Sequence, residues 1–182
     1  MAGTAIQPGR GGGHREPGLH DVAGLFRERH AELARLAALV VGDRATAEDI
    51  VQDVFARLCA RDLLPGGDHA LAYVRAAVLN GCRSVLRRHA IARRLGGARD
   101  LDRSDRPLDS AEDEVILAED RRQVLAALAS LPIRRREVLV LRYWLGLSEA
   151  EIASTMAISK GTVKSNAARG LAALARRLGE DS

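Results

Sequence analysis

The sequence predicts an all-α protein of two small helical domains joined by a flexible linker. Three observations carry this. Only 3% of the 182 residues are aromatic while 47% are apolar, so the core is built from Leu, Val, Ile and Ala, which suits helices better than a sandwich or barrel. Apolar residues recur three and four apart behind plausible caps in each half of the chain. Between the halves lies a stretch with Gly96-Gly97, Pro107 and alternating charge, which reads as a linker. Residues 1–18 are Gly-rich and polar, with little to bury and no apolar segment of a secretory signal, and read as a disordered tail. The division expected is therefore tail 1–18, first domain 19–94, acidic linker 95–110 and second domain 111–182.

In the first domain, Asp21 is placed to cap a helix reaching Val41, with Leu25, Leu33, Leu36 and Val40 at helical spacing and Gly42 as its stop. Thr46, with Asp49 three residues on, offers the cap of a second helix lined by Ile50, Val54 and Leu58. Pro65-Gly66-Gly67 marks a loop. Asp68 can cap a third helix to Arg94, burying Leu71, Val74, Val78, Cys82 and Val85. Three such helices form a small bundle.

In the second domain, a helix to Ser130 uses Val115, Val124, Leu125 and Leu128. Pro132 starts the next, which carries Val138, Leu141 and Leu145 and stops at Gly146. Ser148 and Glu151 then form an S-x-x-E capping box before a short helix with Ile152 and Met156. Ala157-Ile158 makes a turn, and Ser159 caps a last helix with Val163, Ala167, Leu171, Leu174 and Leu178 on one face. Two helices across a tight turn match a helix-turn-helix, whose second helix reads DNA. Its outer face offers Thr162, Ser165 and Arg169, flanked by Lys164 and Asn166, with small Gly161 and Ala168 between. These are donors suited to phosphates and base edges.

Charge agrees with a polyanionic partner. The net charge is +4. Five arginines and no acid lie in residues 83–94, and residues 119–182 hold eleven basic against seven acidic groups. Residues 95–118 hold three arginines against seven carboxylates. Two basic bodies thus flank an acidic strap.

Several classes of function are disfavoured. Two cysteines, Cys59 and Cys82, both expected on buried helix faces as packing thiols or, on neighbouring helices, as a redox pair, make no disulfide-dense scaffold. No apolar run is long enough for membrane insertion, which leaves a soluble, cytoplasmic protein as the expectation. No nucleophile elbow, phosphate loop or zinc-protease motif is present, the five histidines show no ligand spacing, and Asp49 with Asp53 lacks a third metal ligand. The expectation is a protein that is not an enzyme and needs no cofactor or metal. A nuclease would need a cluster of such groups.

Two stretches together resemble a known family. Residues 128–178, containing LPIRRREVLVLRYWLGLSEAEIASTMAISKGTVKS, resemble region 4 of bacterial sigma factors. Residues 47–61, AEDIVQDVFARLCAR, resemble region 2.2, and residues 71–88, LAYVRAAVLNGCRSVLRR, resemble regions 2.3 and 2.4. The order and short linker are similar to the extracytoplasmic-function class of the sigma-70 family. The resemblance implies a dissociable initiation subunit of RNA polymerase that reads the −10 and −35 elements of promoter DNA. Asp49, Gln52, Asp53 and Arg57 would bind the β′ coiled coil, the second domain would meet the β flap, and an anti-sigma factor is a frequent further partner. Arg75, Arg83, Arg87 and Arg88 would meet the −10 backbone, and Asn80 falls at a flipped-base pocket position, or else bonds locally within its helix. Tyr73, where the family usually has Trp, would either pack in the core or stack on a base. The arginines of residues 83–94, taken alone, also fit a solvated helix end. Ser159, Lys160, Thr162, Lys164, Ser165, Asn166 and Arg169 would read the −35 element. Asn166 stands where Arg is common, exchanging a guanine contact for an adenine one. The competing reading is a stand-alone LuxR-like helix-turn-helix regulator that binds a palindrome as a dimer.

Overall fold

The computed structural model describes residues 19–61, 64–65, 69–95 and 115–180. Among the described residues the regular structure is seven α-helices and one π-helical segment, without a strand. The tail, the Asp68 cap and nearly all of the expected linker lie outside them.

Helix α1 (Leu19–Val41) starts two residues before Asp21 and buries Leu33, Leu36, Ala37 and Val40 completely. It ends where Gly42 takes a left-handed φ of 84°, open to glycine without a Cβ clash. Helix α2 (Arg44–Arg61) is capped by Asp43 rather than Thr46. The helix starts straight after Gly42, so the Thr46 amide is an orphan donor of the first turn, and it donates to Asp43 Oδ2 at 2.7 Å. Burial pushes the Asp43 carboxyl up, but hydrogen bonds from Thr46, Ala45 and Arg44 outweigh it and hold it below the usual range.

Ile50, Val51, Val54, Phe55 and Leu58 bury one side of α2 against α1, where Phe26 meets Phe55 edge-on with ring centroids 4.9 Å apart. Cys59, expected inside, is exposed. It follows Leu58, the last buried position of that stripe, and a step of one residue turns it off the stripe. Helix α3 (His69–Arg94) buries Val74, Val78, Leu79, Cys82 and Val85, while Leu71 is only half-buried. Gly81 lets α3 settle onto α2, since a Cβ there would fall 2.7 Å from Ile50 Cγ2.

The C-terminal helices are α4 (Val115–Ser130), α5 (Ile133–Leu139), α6 (Glu149–Met156) and α7 (Lys160–Glu180). On α4, Ala127 and Leu128 are buried, but Val124, expected in the core, is 45% exposed. The helix expected to run from Pro132 to Gly146 changes character at Val140. Residues Val140–Trp144 form a π turn, closed by the Leu145 amide on the Val140 carbonyl at 3.2 Å. The wider turn keeps Val140 and Leu141 inside and leaves Tyr143 and Trp144 more than half exposed. Gly146 then reverses the chain at φ 66°.

The two helical bodies pack together. Their buried apolar residues form one continuous cluster running from Leu36 and Val78 to Leu131, Val138 and Leu141. The Arg136 guanidinium donates to the Val40 carbonyl in the last turn of α1 and to the Ala129 and Leu131 carbonyls, so one cation satisfies orphan acceptors of two helices. α6 lies against α3. Sequence periodicity, being local, gave no sign of this docking.

Candidate nucleic-acid interface

The helix-turn-helix is built by local capping. Ser148 Oγ accepts from the Glu151 amide at 3.3 Å while the Glu151 carboxylate accepts from the Ser148 amide at 2.8 Å, completing the box. Hydrogen bonding from the Ser148 side chain, and then from its backbone amide, holds the Glu151 carboxyl below its ordinary range. α6 ends at Ala157, whose left-handed φ of 52° is unusual for a residue with a Cβ and makes the sharp turn. The Ile158 amide closes that turn on the Ala153 carbonyl at 3.0 Å. Ser159 Oγ then accepts from the Thr162 amide at 3.1 Å and caps α7.

Ile152, Met156, Val163 and Ala167 form the buried seam between α6 and α7. Leu171, expected to continue it, is 42% exposed. Gly170 takes its place, because a Cβ there would come 2.9 Å from Leu139 Cδ1, and α7 turns this close contact rather than Leu171 towards α5. On the outer side, Ser159, Lys160, Thr162, Lys164 and Arg169 are exposed, and Ser165 and Asn166 are half-buried. Ser165 Oγ and Asn166 Nδ2 both donate to the Thr162 carbonyl, at 3.1 and 2.8 Å. This bond consumes one amide hydrogen of Asn166; its other N–H and its carbonyl oxygen are the pair an adenine contact requires. Lys164 Nζ lies 3.7 Å from Glu149, which also accepts from Arg142 at 3.0 Å.

The candidate −10 residues are not all alike. Tyr73 is 41% exposed, which favours the outward reading over the core. Arg87 and Arg88 are exposed. Arg75 faces inward on α3 and holds Glu32 of α1 through both Nε and Nη2, at 3.1 and 2.5 Å, so a phosphate would have to displace a carboxylate. Asn80 Oδ1 accepts from Arg83 Nη1 at 2.6 Å, and Arg83 Nε donates to Glu137 of α5 at 2.6 Å. Glu137 is fully buried. Burial drives its carboxyl above the ordinary range, opposed by Arg83 and then by Arg134 at 3.5 Å. Burial, with Glu137 adding to it, also pushes the Cys82 thiol up to about 12.

On α2, Asp49, Gln52, Asp53 and Arg57 are exposed on the side away from Ile50, Val54 and Leu58. Arg57 reaches back to Asp53 at 3.2 Å. Sequence alone does not single out Glu137, Arg136 or Gly170. Glu137 carried a signal: Ile133 and Leu141 lie four residues to either side, so a carboxylate stands within an apolar stripe. No group of three or more His, Cys, Asp or Glu among the described residues is arranged to hold a metal. No described helix is long and apolar enough to cross a membrane.

A basic, donor-rich helix-turn-helix behind a three-helix body with an Arg-rich last helix defines a DNA-binding protein of the transcription machinery. Similarity to known proteins makes this specific. The sigma-70 region 2 family matches residues 25–99 and the sigma-70, region 4 family matches residues 121–174. The ECF RNA polymerase sigma factor SigL of Mycobacterium tuberculosis is 37% identical over 144 residues, 78% of this chain and 79% of its own length. The RNA polymerase sigma-E factor of Streptomyces coelicolor is 32% identical over 153 residues, 84% of this chain and 82% of its own. In fold, the chain is similar to the sigma factor RpoE solved with the anti-sigma factor NepR from Bartonella quintana, with a TM-score of 0.70 and 22% identity over 89% of this chain and 99% of that one. CnrH in complex with the cytosolic domain of CnrY gives a TM-score of 0.65 and 22% identity over 90% of each chain. The chain belongs to the extracytoplasmic-function sigma factors of the sigma-70 family.

Proposed function

We propose that the chain is the dissociable initiation subunit of a bacterial RNA polymerase, acting in the cytoplasm and contributing recognition while the polymerase supplies the chemistry. The exposed Asp49, Gln52 and Asp53 on α2 suit an Arg-rich surface and are assigned to the β′ coiled coil, with Arg57 beside them. Residues 19–94 act at the −10 element, with Tyr73, Asn80, Arg83, Arg87 and Arg88 as its contacts and Arg75 chiefly holding α3 to α1. Residues 111–182 read the −35 element through Ser159, Lys160, Thr162, Lys164, Ser165, Asn166 and Arg169 and meet the β flap. The residues of 95–110 join the two.

The observation that carries this reading is the pairing, in one chain, of a doubly capped helix-turn-helix with a separate body whose last helix is rich in arginine. A stand-alone regulator would use the first body as a sensor half, and the match of residues 25–99 to sigma-70 region 2 speaks against that. An anti-sigma protein that covers the same faces is the expected negative partner. The assignment of α2 is tested by co-purifying core RNA polymerase with the wild-type chain and with Asp49→Arg/Asp53→Arg. Both positions are exposed, so the variant keeps its helical spectrum and loses the polymerase. Unchanged binding refutes the assignment.

A further inference from the structure

Glu149 is a carboxylate set among the cations of the proposed DNA face. It opens α6, the first helix of the helix-turn-helix, and its two oxygens meet different partners. Oε1 accepts at 3.0 Å from Arg142 Nη1, in the π turn that precedes α6, and Oε2 lies 3.7 Å from Lys164 Nζ on α7. The Arg142 guanidinium also sits 5.9 Å from the centre of the Tyr143 ring, a second attraction on the same group. Lys164 is exposed on the outer side of α7 with Lys160 and Thr162, so the carboxylate lies at the edge of the face assigned to the −35 element.

The fold has little need of this carboxylate. The helix-turn-helix is already held by the Ser148–Glu151 box, the Ser159 cap and the buried seam of Ile152, Met156, Val163 and Ala167. Both ion pairs of Glu149 are open to solvent, where such pairs add little stability. Their chemistry is nonetheless that of a DNA contact. To a guanidinium or an ammonium, a carboxylate and a backbone phosphate are both oxyanions that accept charge-assisted hydrogen bonds. One acid thus engages two cations that would otherwise be offered to phosphates.

We propose that Glu149 is a positioning residue that occupies Arg142 and Lys164 as a phosphate surrogate, and so limits how tightly the helix-turn-helix holds the DNA backbone. Binding exchanges the carboxylate for phosphate at both cations, and the two ion pairs given up are a cost of binding. Phosphate contacts carry no sequence information, so Glu149 sets affinity and salt dependence rather than base preference. The proposal rests on the reading of α7 as the −35 helix.

The test uses holoenzyme assembled from a cognate bacterial core polymerase and the full-length chain. The probes are a labelled duplex enriched from a randomised pool by the wild-type holoenzyme, and a scrambled copy of it. Glu149→Gln keeps the side-chain shape and releases both cations. It is expected to bind the enriched duplex at least about threefold more tightly at about 50 mM salt, with a salt slope steeper by about 0.9 for each phosphate contact regained. Its advantage over wild type then shrinks about threefold per contact by about 200 mM salt. The scrambled copy gains by the same factor. Glu28→Gln, which removes an exposed acid of α1, changes neither affinity nor slope. With Arg142→Gln and Lys164→Gln both in place, Glu149→Gln brings no advantage. Unchanged affinity and slope in Glu149→Gln overturn the proposal, and so does an equal gain in Glu28→Gln, which makes the effect one of net charge. A gain that persists without the two cations overturns it as well, since Glu149 then acts on DNA directly, as does a gain confined to the enriched duplex. Wild-type holoenzyme that enriches no −35 sequence overturns the −35 reading itself and the proposal with it, a failure distinct from the others.

Discussion

Gly81→Ala is a sensitive probe of how α3 is seated, because the added methyl has nowhere to go. Its Cβ falls 2.7 Å from Ile50 Cγ2, whereas carbon atoms in contact sit about 3.5–4.0 Å apart, so Ile50 has to retreat by about an ångström. Ile50 is 5% exposed and its branched Cβ is stiff at χ1, so it cannot rotate aside. Overpacking of this kind costs about 1–3 kcal/mol. Against it stands the gain of replacing a helical glycine by alanine, about 0.5–1 kcal/mol. The expected net is a loss of about 1 kcal/mol, seen as a fall in Tm of about 2–4 °C for a chain of this size. Ile50→Ala removes the obstructing methyl. In that background Gly81→Ala is expected to be neutral or stabilising by up to about 1 kcal/mol. The cycle of four proteins, followed by urea unfolding, should give a coupling of at least about 1 kcal/mol. If Gly81→Ala stabilises the wild-type background, or the coupling lies below about 0.5 kcal/mol, the close seating of α3 on α2 is wrong.

The other predictions are simpler. Ser148→Ala removes one arm of the capping box and is expected to cost about 1 kcal/mol, measurable by thermal melting. Asp43→Ala costs a similar amount, about 1 kcal/mol near neutral pH. The folded Asp43 carboxyl is more acidic than its unfolded value of 3.8, so its contribution is present above that pH and fades as pH falls through the lower folded value. The gap between wild type and variant should therefore close only in strong acid; a gap that closes already at pH 5–6 contradicts the cap, since about 3.9 is the ordinary Asp value. Cys59 should react with a maleimide at neutral pH in the native chain, while Cys82, buried and with its thiol near 12, reacts only on unfolding; equal native rates refute the burial of Cys82. Asn166→Arg should shift −35 preference towards guanine in a binding selection, and an unchanged preference removes Asn166 from base readout.

What could be read from sequence was whatever short-range chemistry decides. The Ser148/Glu151 box, the Ser159 cap and the Gly42 and Gly146 stops are local, and all appear in the structure. Helical periodicity placed Val74, Val78, Val163 and Ala167 in the core but erred at Val124, Cys59 and Leu171. In each case the neighbouring element, not the helix itself, decides which residue is covered. Gly170 is chosen over Leu171 because Leu139 presses on α7 there. The Asp43 cap was displaced by three residues because Asp and Thr both cap well and only the onset of α2 separates them. The π turn at Val140–Trp144 has no pattern distinct from an α-helix over so few residues. The candidate site divides in the same way. The outer face of α7 and the polar face of α2 follow from the helical wheel, whereas the capture of Arg75 by Glu32 and of Arg83 by Glu137 joins residues 43 and 54 positions apart.

The proposed activity is to direct RNA polymerase to promoters through two contacts. Its most direct test is in vitro transcription by a cognate bacterial core polymerase on a pool of genomic fragments, with and without the full-length chain. New, discrete start sites are expected that appear only with the chain, each preceded by two shared elements at a fixed spacing. No new start sites, together with tight binding of a palindrome by the protein alone, would contradict it.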